Sequence, residues 1–381
     1  MAPSAPSEYA VSLGLLGWPL LLSRALGITS SLLFKTVRAA VSPARRHELS
    51  LYEYVVYEGM RDYQCGLNAV GIQNLLPSTS KTSRQYARKH GIPYSSIQLQ
   101  DGTVALWLGP SKPAKVVVLF HGGGYMAPAL GEHISFAFGF AKSPPKDVAV
   151  VVLQYALASE KANHYPRQLE QAISLMQHLL SSEKIAPSAI TLLGDSAGAH
   201  LLLSLLLHVN HQNSRVSPLT VDGQFSGAAL VSPWVELSQS PTSEKPTAEI
   251  DIIRGDALAY WAQNLLGGAA SDPWNSPLTA PTEWWRDLPV DSLLITYGEN
   301  EMFRDDAGRL CERIQASHPQ TTALKCSGEL HVHMIMNRFL HINKPCQSEA
   351  VFVDWLKQRL EGSKIDEDSL LCPSSLLDAT A

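Results

Sequence analysis

Residues 194–198 read Gly-Asp-Ser-Ala-Gly and stand between a β-rich run at 189–193 (AITLL) and an apolar helical run at 197–209. Strand, sharp turn and helix in that order are the setting in which G-x-S-x-G presents a serine as a nucleophile. The flanking glycines leave room for a strained backbone at Ser196. The helix that follows directs unpaired N–H groups at developing negative charge. The chemistry this permits is attack of the Ser196 hydroxyl on an acyl carbon. A second segment supplies what that attack needs: His121-Gly122-Gly123-Gly124-Tyr125 follows the run KVVVLF at 115–120. Attack creates a tetrahedral oxyanion, and backbone N–H groups reach it only where no side chain blocks the approach. Neither G-x-x-x-x-G-K-[ST] nor G-x-G-x-x-G with an acidic partner is present, so an oxyanion hole is the reading preferred over a phosphate loop.

Such residues need a scaffold that delivers them to one place. Runs at 95–100 and 103–108 flank Asp101-Gly102, which signals a two-residue hairpin and an antiparallel start to a sheet. Continuous apolar runs at 115–120, 147–153, 189–193, 225–231, 292–296 and 322–326 read as strands buried on both faces. Helical segments alternate with them at about 166–181, 197–209, 304–316 and 348–360. The alternation predicts an α/β fold with a mostly parallel sheet flanked by helices, in which ligands bind beyond the carboxyl ends of the strands. Both motifs fall at such ends.

HGGGY at 121–125, YALASE at 155–160, GDSAG at 194–198 and Ser232-Pro233-Trp234 together resemble the hormone-sensitive-lipase-like branch of the α/β hydrolases, from about residue 95 to 360. Fungal steryl acetyl hydrolases and hydrolases of natural-product clusters, that is of secondary metabolism, are among the more similar-looking members. The resemblance implies an α/β-hydrolase fold of about eight strands, an esterase, lipase or deacetylase activity, and oxyanion donors at Gly123, Gly124 and Ala197, and Gly122 of the same glycine run is counted in the oxyanion hole with them. Ser159 departs from the pattern, which usually has Pro there.

In that fold the acid and the histidine follow the nucleophile in chain order. After the run at 292–296 comes YGENEMFRDD, similar to the branch's D-P-L-R-D stretch, with Glu301 at its first acidic position. Glu301 is the chosen acid, with Glu299 and Asp305 as alternatives; Asp305 and Asp306 also suit a helix's first turn. Gly328-Glu329-Leu330-His331-Val332-His333 resembles the branch's G-x-x-H, which assigns the base to His331 and leaves His333 as the rival. His121 is expected to shape the glycine loop, and His164, His200 and His208 to carry no chemistry.

The chain has 381 residues, 45% hydrophobic and 17% charged, with net charge -5 and no long Lys/Arg run, which argues for a folded domain and against nucleic-acid binding. Cys65, Cys311, Cys326, Cys346 and Cys372 have neither disulfide nor metal-ligand spacing, and no metal or organic cofactor is expected. Residues 1–90 read as an N-terminal anchor or cap, 91–362 as the catalytic domain with a cap or pocket-wall insertion at 238–285, and 363–381 as a loosely ordered tail. The apolar stretch 9–34, interrupted by Pro19 and Arg24, reads as a membrane anchor, a cap helix or a signal peptide. Lys35, Arg38, Arg45 and Arg46 follow it and suit anionic headgroups. An intracellular, membrane-associated protein acting on a hydrophobic small molecule is expected, with secretion less favoured. Hydrolysis of a carboxylic ester, with acetyl esters included, is the leading reaction; acyl transfer or a condensation or cyclisation at the same site is the rival, and a non-catalytic receptor on the same scaffold is a further alternative.

Overall fold

The computed structural model describes residues 13–42, 49–159, 161–237 and 250–361. Glu160, Arg45, Arg46, Cys372, the tail and the first part of the expected insertion lie outside these. Strands β1 (Tyr94–Gln98) and β2 (Val104–Leu108) pair antiparallel, with Gln98 opposite Val104. Their turn holds Gln100, Asp101 and Gly102, one residue more than expected: Leu99 N–H donates to Thr103 O at 2.7 Å and Gly102 takes φ +83°. A three-residue hairpin with its last residue left-handed is the common next choice, and Asp101 Oδ1 supports it by accepting Thr103 N–H at 3.0 Å.

Strands β3 (Lys115–Phe120), β4 (Val148–Gln154), β5 (Ile190–Asp195), β6 (Gly227–Val231), β7 (Leu293–Gly298) and β8 (Thr321–Cys326) complete an eight-stranded sheet of order β1-β2-β4-β3-β5-β6-β7-β8. β2 meets β4 antiparallel, and every pairing from β4 to β8 is parallel. Valines and leucines fill β3 to β6, buried at almost every position, because helices cover both faces. β8 lies at the edge and is only partly covered, with Thr322 and Lys325 exposed and Cys326 buried.

The helices are α1 (Gly17–Val41), α2 (Leu51–Gly66), α3 (Ala69–Leu75), α4 (Thr79–His90), α5 (Gly131–Ala137), α6 (Arg167–Gln177), α7 (Ala197–Asn210), α8 (Gly255–Leu266), α9 (Arg304–Gln315), α10 (His333–Phe339) and α11 (Gln347–Glu361). The four expected helices correspond to α6, α7, α9 and α11. α5 and α10, of seven residues each, are too short for periodicity to reveal them.

The N-terminal segment forms a separate helical layer. Ser50 closes a capping box with Glu53 at the start of α2, and Asn68 and Ser78 cap α3 and α4. α1 packs along α2, with Lys35 bonded to Glu58 at 2.9 Å and Asp62 at 2.6 Å. Burial would lower the proton affinity of Lys35, but these two carboxylates raise it above the usual lysine value. Only Leu21 and Ala39 of α1 are buried, while Leu26, Leu33 and Phe34 are each more than 60% exposed.

Candidate active site

The turn from β5 into α7 holds Ser196 at φ +51°, a conformation that side-chain-bearing residues rarely adopt. Close packing enforces it: a Cβ at Gly194 would meet the Gly198 carbonyl at 2.6 Å, and one at Gly198 would meet the Phe120 carbonyl at 1.8 Å. Ser196 N–H donates to Val231 O at 2.8 Å, so β6 anchors the turn.

His331 Nε2 lies 2.9 Å from Ser196 Oγ. With Nε2 accepting the hydroxyl, the ring proton sits on Nδ1, which faces Glu301 Oε2 at 3.8 Å. That is ion-pair range, longer than a hydrogen bond. Glu301 is fully buried; its Oε2 accepts Ser232 Oγ at 2.6 Å and Gly298 N–H at 3.1 Å. Ser232 Oγ in turn accepts Val332 N–H at 2.9 Å, so one hydroxyl ties the acidic loop to the histidine loop. Burial alone would lower the proton affinity of His331, but Glu301 foremost, then Asp251 and Asp195, raise it above the ordinary 6.5.

The alternatives occupy other places. His333 Nδ1 accepts Leu330 N–H at 3.2 Å and Nε2 bonds Asn337 at 2.9 Å, so its ring braces the start of α10 against the preceding loop. Glu299 accepts from Ser327 Oγ and Gly328 N–H, Asp305 pairs with Arg304, and Asp306 with Arg309. His121 Nδ1 donates to Gly122 O at 2.8 Å inside the glycine loop, and burial pushes its ring down to about 3, so it is neutral. His200 takes the Tyr125 hydroxyl at 2.6 Å and bonds Asn275 O at 3.0 Å; burial holds it at about 4.

The glycine loop corrects one expectation. Gly122 N–H donates to Asp195 Oδ1 at 2.9 Å, so it is not available to an oxyanion. Asp195 Oδ2 faces His133 Nε2 at 3.3 Å, and because His133 Nδ1 accepts Leu130 N–H at 2.9 Å, Nε2 carries the proton. Gly123 and Gly124 sit at φ +109° and +61°, and a Cβ on Gly124 would strike the Trp261 ring at 2.5 Å. No backbone carbonyl of the described residues accepts the N–H of Gly123, Gly124 or Ala197.

A cavity of about 250 Å³ opens onto Ser196 and His331. Met60, Tyr63 and Gln64 of α2 line it, with Leu67 just beyond α2, Ile72 and Leu75 of α3, Ile252, Ile253, Trp261 and Met336. Of the described residues of the N-terminal segment, those in and between α2 and α3 line the cavity, and none of α1 does. Trp261 forms pocket wall as expected, whereas Trp274 and Trp284 pack on each other and on His211 away from it. Sequence reasoning missed Asp251, His133 and the role of Ser232. Of these only Ser232 carried a signal, the Ser-Pro-Trp motif. Among the described residues no group of three or more His, Cys, Asp or Glu side chains is arranged to hold a metal.

A parallel sheet with a strained serine turn at the end of β5, and a glycine loop at the end of β3, is the architecture of an α/β hydrolase. A family model described as alpha/beta hydrolase fold matches residues 117–335, so the chain belongs to that family, and the resemblance to its hormone-sensitive-lipase-like branch is borne out. An acetyl-hydrolase of Streptomyces hygroscopicus is 29% identical over 225 residues, 58% of this chain and 69% of that protein. Steryl acetyl hydrolase 1 of Saccharomyces cerevisiae is 25% identical over 200 residues, 49% of this chain and 45% of that one. The chain thus spans about half to two thirds of the length of the curated relatives it matches. The crystal structure of an esterase from the bacterial hormone-sensitive lipase family superposes with a TM-score of 0.58 at 22% identity, covering 82% of this chain and 99% of that one, which is a likeness of fold.

Proposed function

We propose that the protein hydrolyses carboxylic esters, acetyl esters among them, of a hydrophobic small molecule, with Ser196 as nucleophile, His331 as general base and Glu301 as the acid that orients the imidazole. The observation that carries this reading is the 2.9 Å contact between Ser196 Oγ and His331 Nε2 at the floor of an apolar cavity. As Oγ attacks the acyl carbon, its proton passes to Nε2 and the carbonyl oxygen becomes an oxyanion. Gly123, Gly124 and Ala197 donate to it. The imidazolium returns the proton to the leaving alcohol, and water deprotonated by the same ring then releases the acid from Ser196. Glu301 stabilises the imidazolium; closing the gap at Nδ1 by about 1 Å brings it into hydrogen-bond range. The names of the acetyl-hydrolase relatives support the acyl group, and the apolar lining supports the hydrophobic alcohol.

We further infer that the exposed apolar side of α1 lies against a membrane, where such substrates partition. The helix has the length and composition of a membrane-crossing segment, and its apolar side is exposed rather than packed into the core.

The test is labelling of the full chain with a fluorophosphonate, followed by turnover of a panel of acetyl, short-chain and sterol esters with product analysis. Ser196→Ala is expected to fold normally, to lose labelling and to lose turnover at least about 10⁴-fold. Undiminished labelling of that variant removes Ser196 from the mechanism, and transfer of the acyl group to an acceptor other than water replaces hydrolysis with a transferase.

A further inference from the structure

Asp251 is a fully buried carboxylate that the chemistry above does not use. It stands where three segments meet. Its Oδ1 accepts His331 N–H at 3.0 Å, and its Oδ2 accepts Met302 N–H at 2.8 Å. Ile252 N–H adds a second bond to Oδ1 at 2.8 Å, and the Asp251 carbonyl accepts from Arg61 Nη1 of α2 at 3.1 Å. The two distant amides belong to His331 itself and to the residue after Glu301. One side chain therefore holds the histidine loop and the acidic loop at a fixed separation, and ties both to the helical layer.

Asp251 is not a second candidate for the acid. Both of its oxygens are filled by backbone N–H groups, whereas Glu301 Oε1 has no partner and Oε2 faces Nδ1. Donors offset the cost of burying a carboxylate this deeply, and the donors to Asp251 include amides of the loops that carry the imidazole and its acid.

We propose that Asp251 is a positioning residue for acyl transfer: it sets the spacing of the His331 imidazole and Glu301 through their backbone, and its negative charge favours the imidazolium formed as the proton leaves Ser196. This inference rests on the Ser196–His331–Glu301 reading. The groups that face His331 are Glu301 after β7, Asp251 before α8, Asp195 at the end of β5 and the Ser196 hydroxyl, with the Phe303 ring edge-on at 4.9 Å. The charge of Asp195 is already met by His133 and Gly122 N–H. Of the carboxylates that act on the ring, Glu301 is the strongest, Asp251 the next and Asp195 the weakest. Burial first, and then Glu301, push Asp251 up to about 6, against the opposing pull of His331 and the two amides.

Asp251→Asn in the full chain tests the proposal, because the amide keeps the volume and one acceptor while removing the charge. For p-nitrophenyl acetate, kcat is expected to fall about 10²-fold with KM little changed, and the acid limb of kcat/KM to move to lower pH, since His331 loses a charge that favours its protonated form. Asp251→Glu keeps the charge but displaces the oxygens, so its kcat falls while its acid limb stays at the wild-type position. Wild-type kcat in Asp251→Asn overturns the proposal, and so does a loss of kcat with an unmoved limb, the signature of a bare tether. If circular dichroism shows that Asp251→Asn does not fold, wild-type kcat in Asp251→Glu overturns it instead. His331→Ala separates the two levels. If it abolishes turnover while Asp251→Asn behaves as wild type, only the role of Asp251 falls; if His331→Ala keeps wild-type turnover, the triad reading falls with it.

Discussion

Ser196, His331 and Glu301 hang from strand ends and strained turns, each tied by several hydrogen bonds to a neighbouring loop. Across the cavity, Met60 of α2, Leu67 just beyond it, and Ile72 and Leu75 of α3 face the site with apolar side chains. One wall is built for geometry and the other for volume. A misplacement on the first wall disturbs proton transfer between atoms about 3 Å apart, whereas a change on the second alters how much apolar surface a ligand covers. On the proposed mechanism, the contrast predicts that reactivity and selectivity separate by substitution.

The sharpest way to break this contrast is Glu301→Gln. It should lower kcat about 10³- to 10⁴-fold with little change in KM. It should also shift the acid limb of kcat/KM downward, because Glu301 is the strongest of the charges that raise His331 above 6.5. The wild-type limb is expected above that value, since the ring must be neutral to accept the Ser196 proton. A Glu301→Gln enzyme with near-normal kcat would merge the two walls into one. A smaller effect is expected from Leu67→Ala, which opens the volume wall: selectivity between short and bulky esters should change about 10-fold while p-nitrophenyl acetate turnover holds. Equal losses on every ester would show that α2 positions the chemistry as well. The smallest effect on catalysis is expected from Leu26→Gln, Leu33→Gln and Phe34→Gln combined on the outer side of α1. Turnover of a soluble ester should be unchanged and cosedimentation with phospholipid vesicles reduced; unchanged cosedimentation removes the membrane from the reading.

Much of the sheet was legible because buried parallel strands write themselves as continuous apolar runs, and β3 to β7 do so. Ser196, His331 and Glu301 could be picked out since each follows a strand within a short, distinctive string. Gly122 was included among the oxyanion donors because three glycines look alike in sequence; only the reach of the Asp195 side chain distinguishes the first from the others. Asp251 had no signal at all. It acts through backbone amides 51 and 80 residues away in the chain, and neither pattern nor propensity encodes such a contact. That α2 and α3 line the cavity and α1 does not was hidden for a related reason: hydropathy marks α1 as apolar without saying whether its partner is protein.

Ser196, Ser232 and Val332 all carry side chains at positive φ, and the Ser232 hydroxyl joins the loops of the other two functional groups. Left-handed backbone costs a side-chain-bearing residue about 1–2 kcal/mol. The positions where a glycine would raise the melting temperature therefore include ones whose rigidity aligns the site, beside Phe140, Lys184 and His341 outside it. A screen that selects for thermal tolerance alone would drift toward relaxing Val332 and Ser232, and would enrich stable proteins with a loosened imidazole. Directed evolution of this chain has to select for turnover at every round.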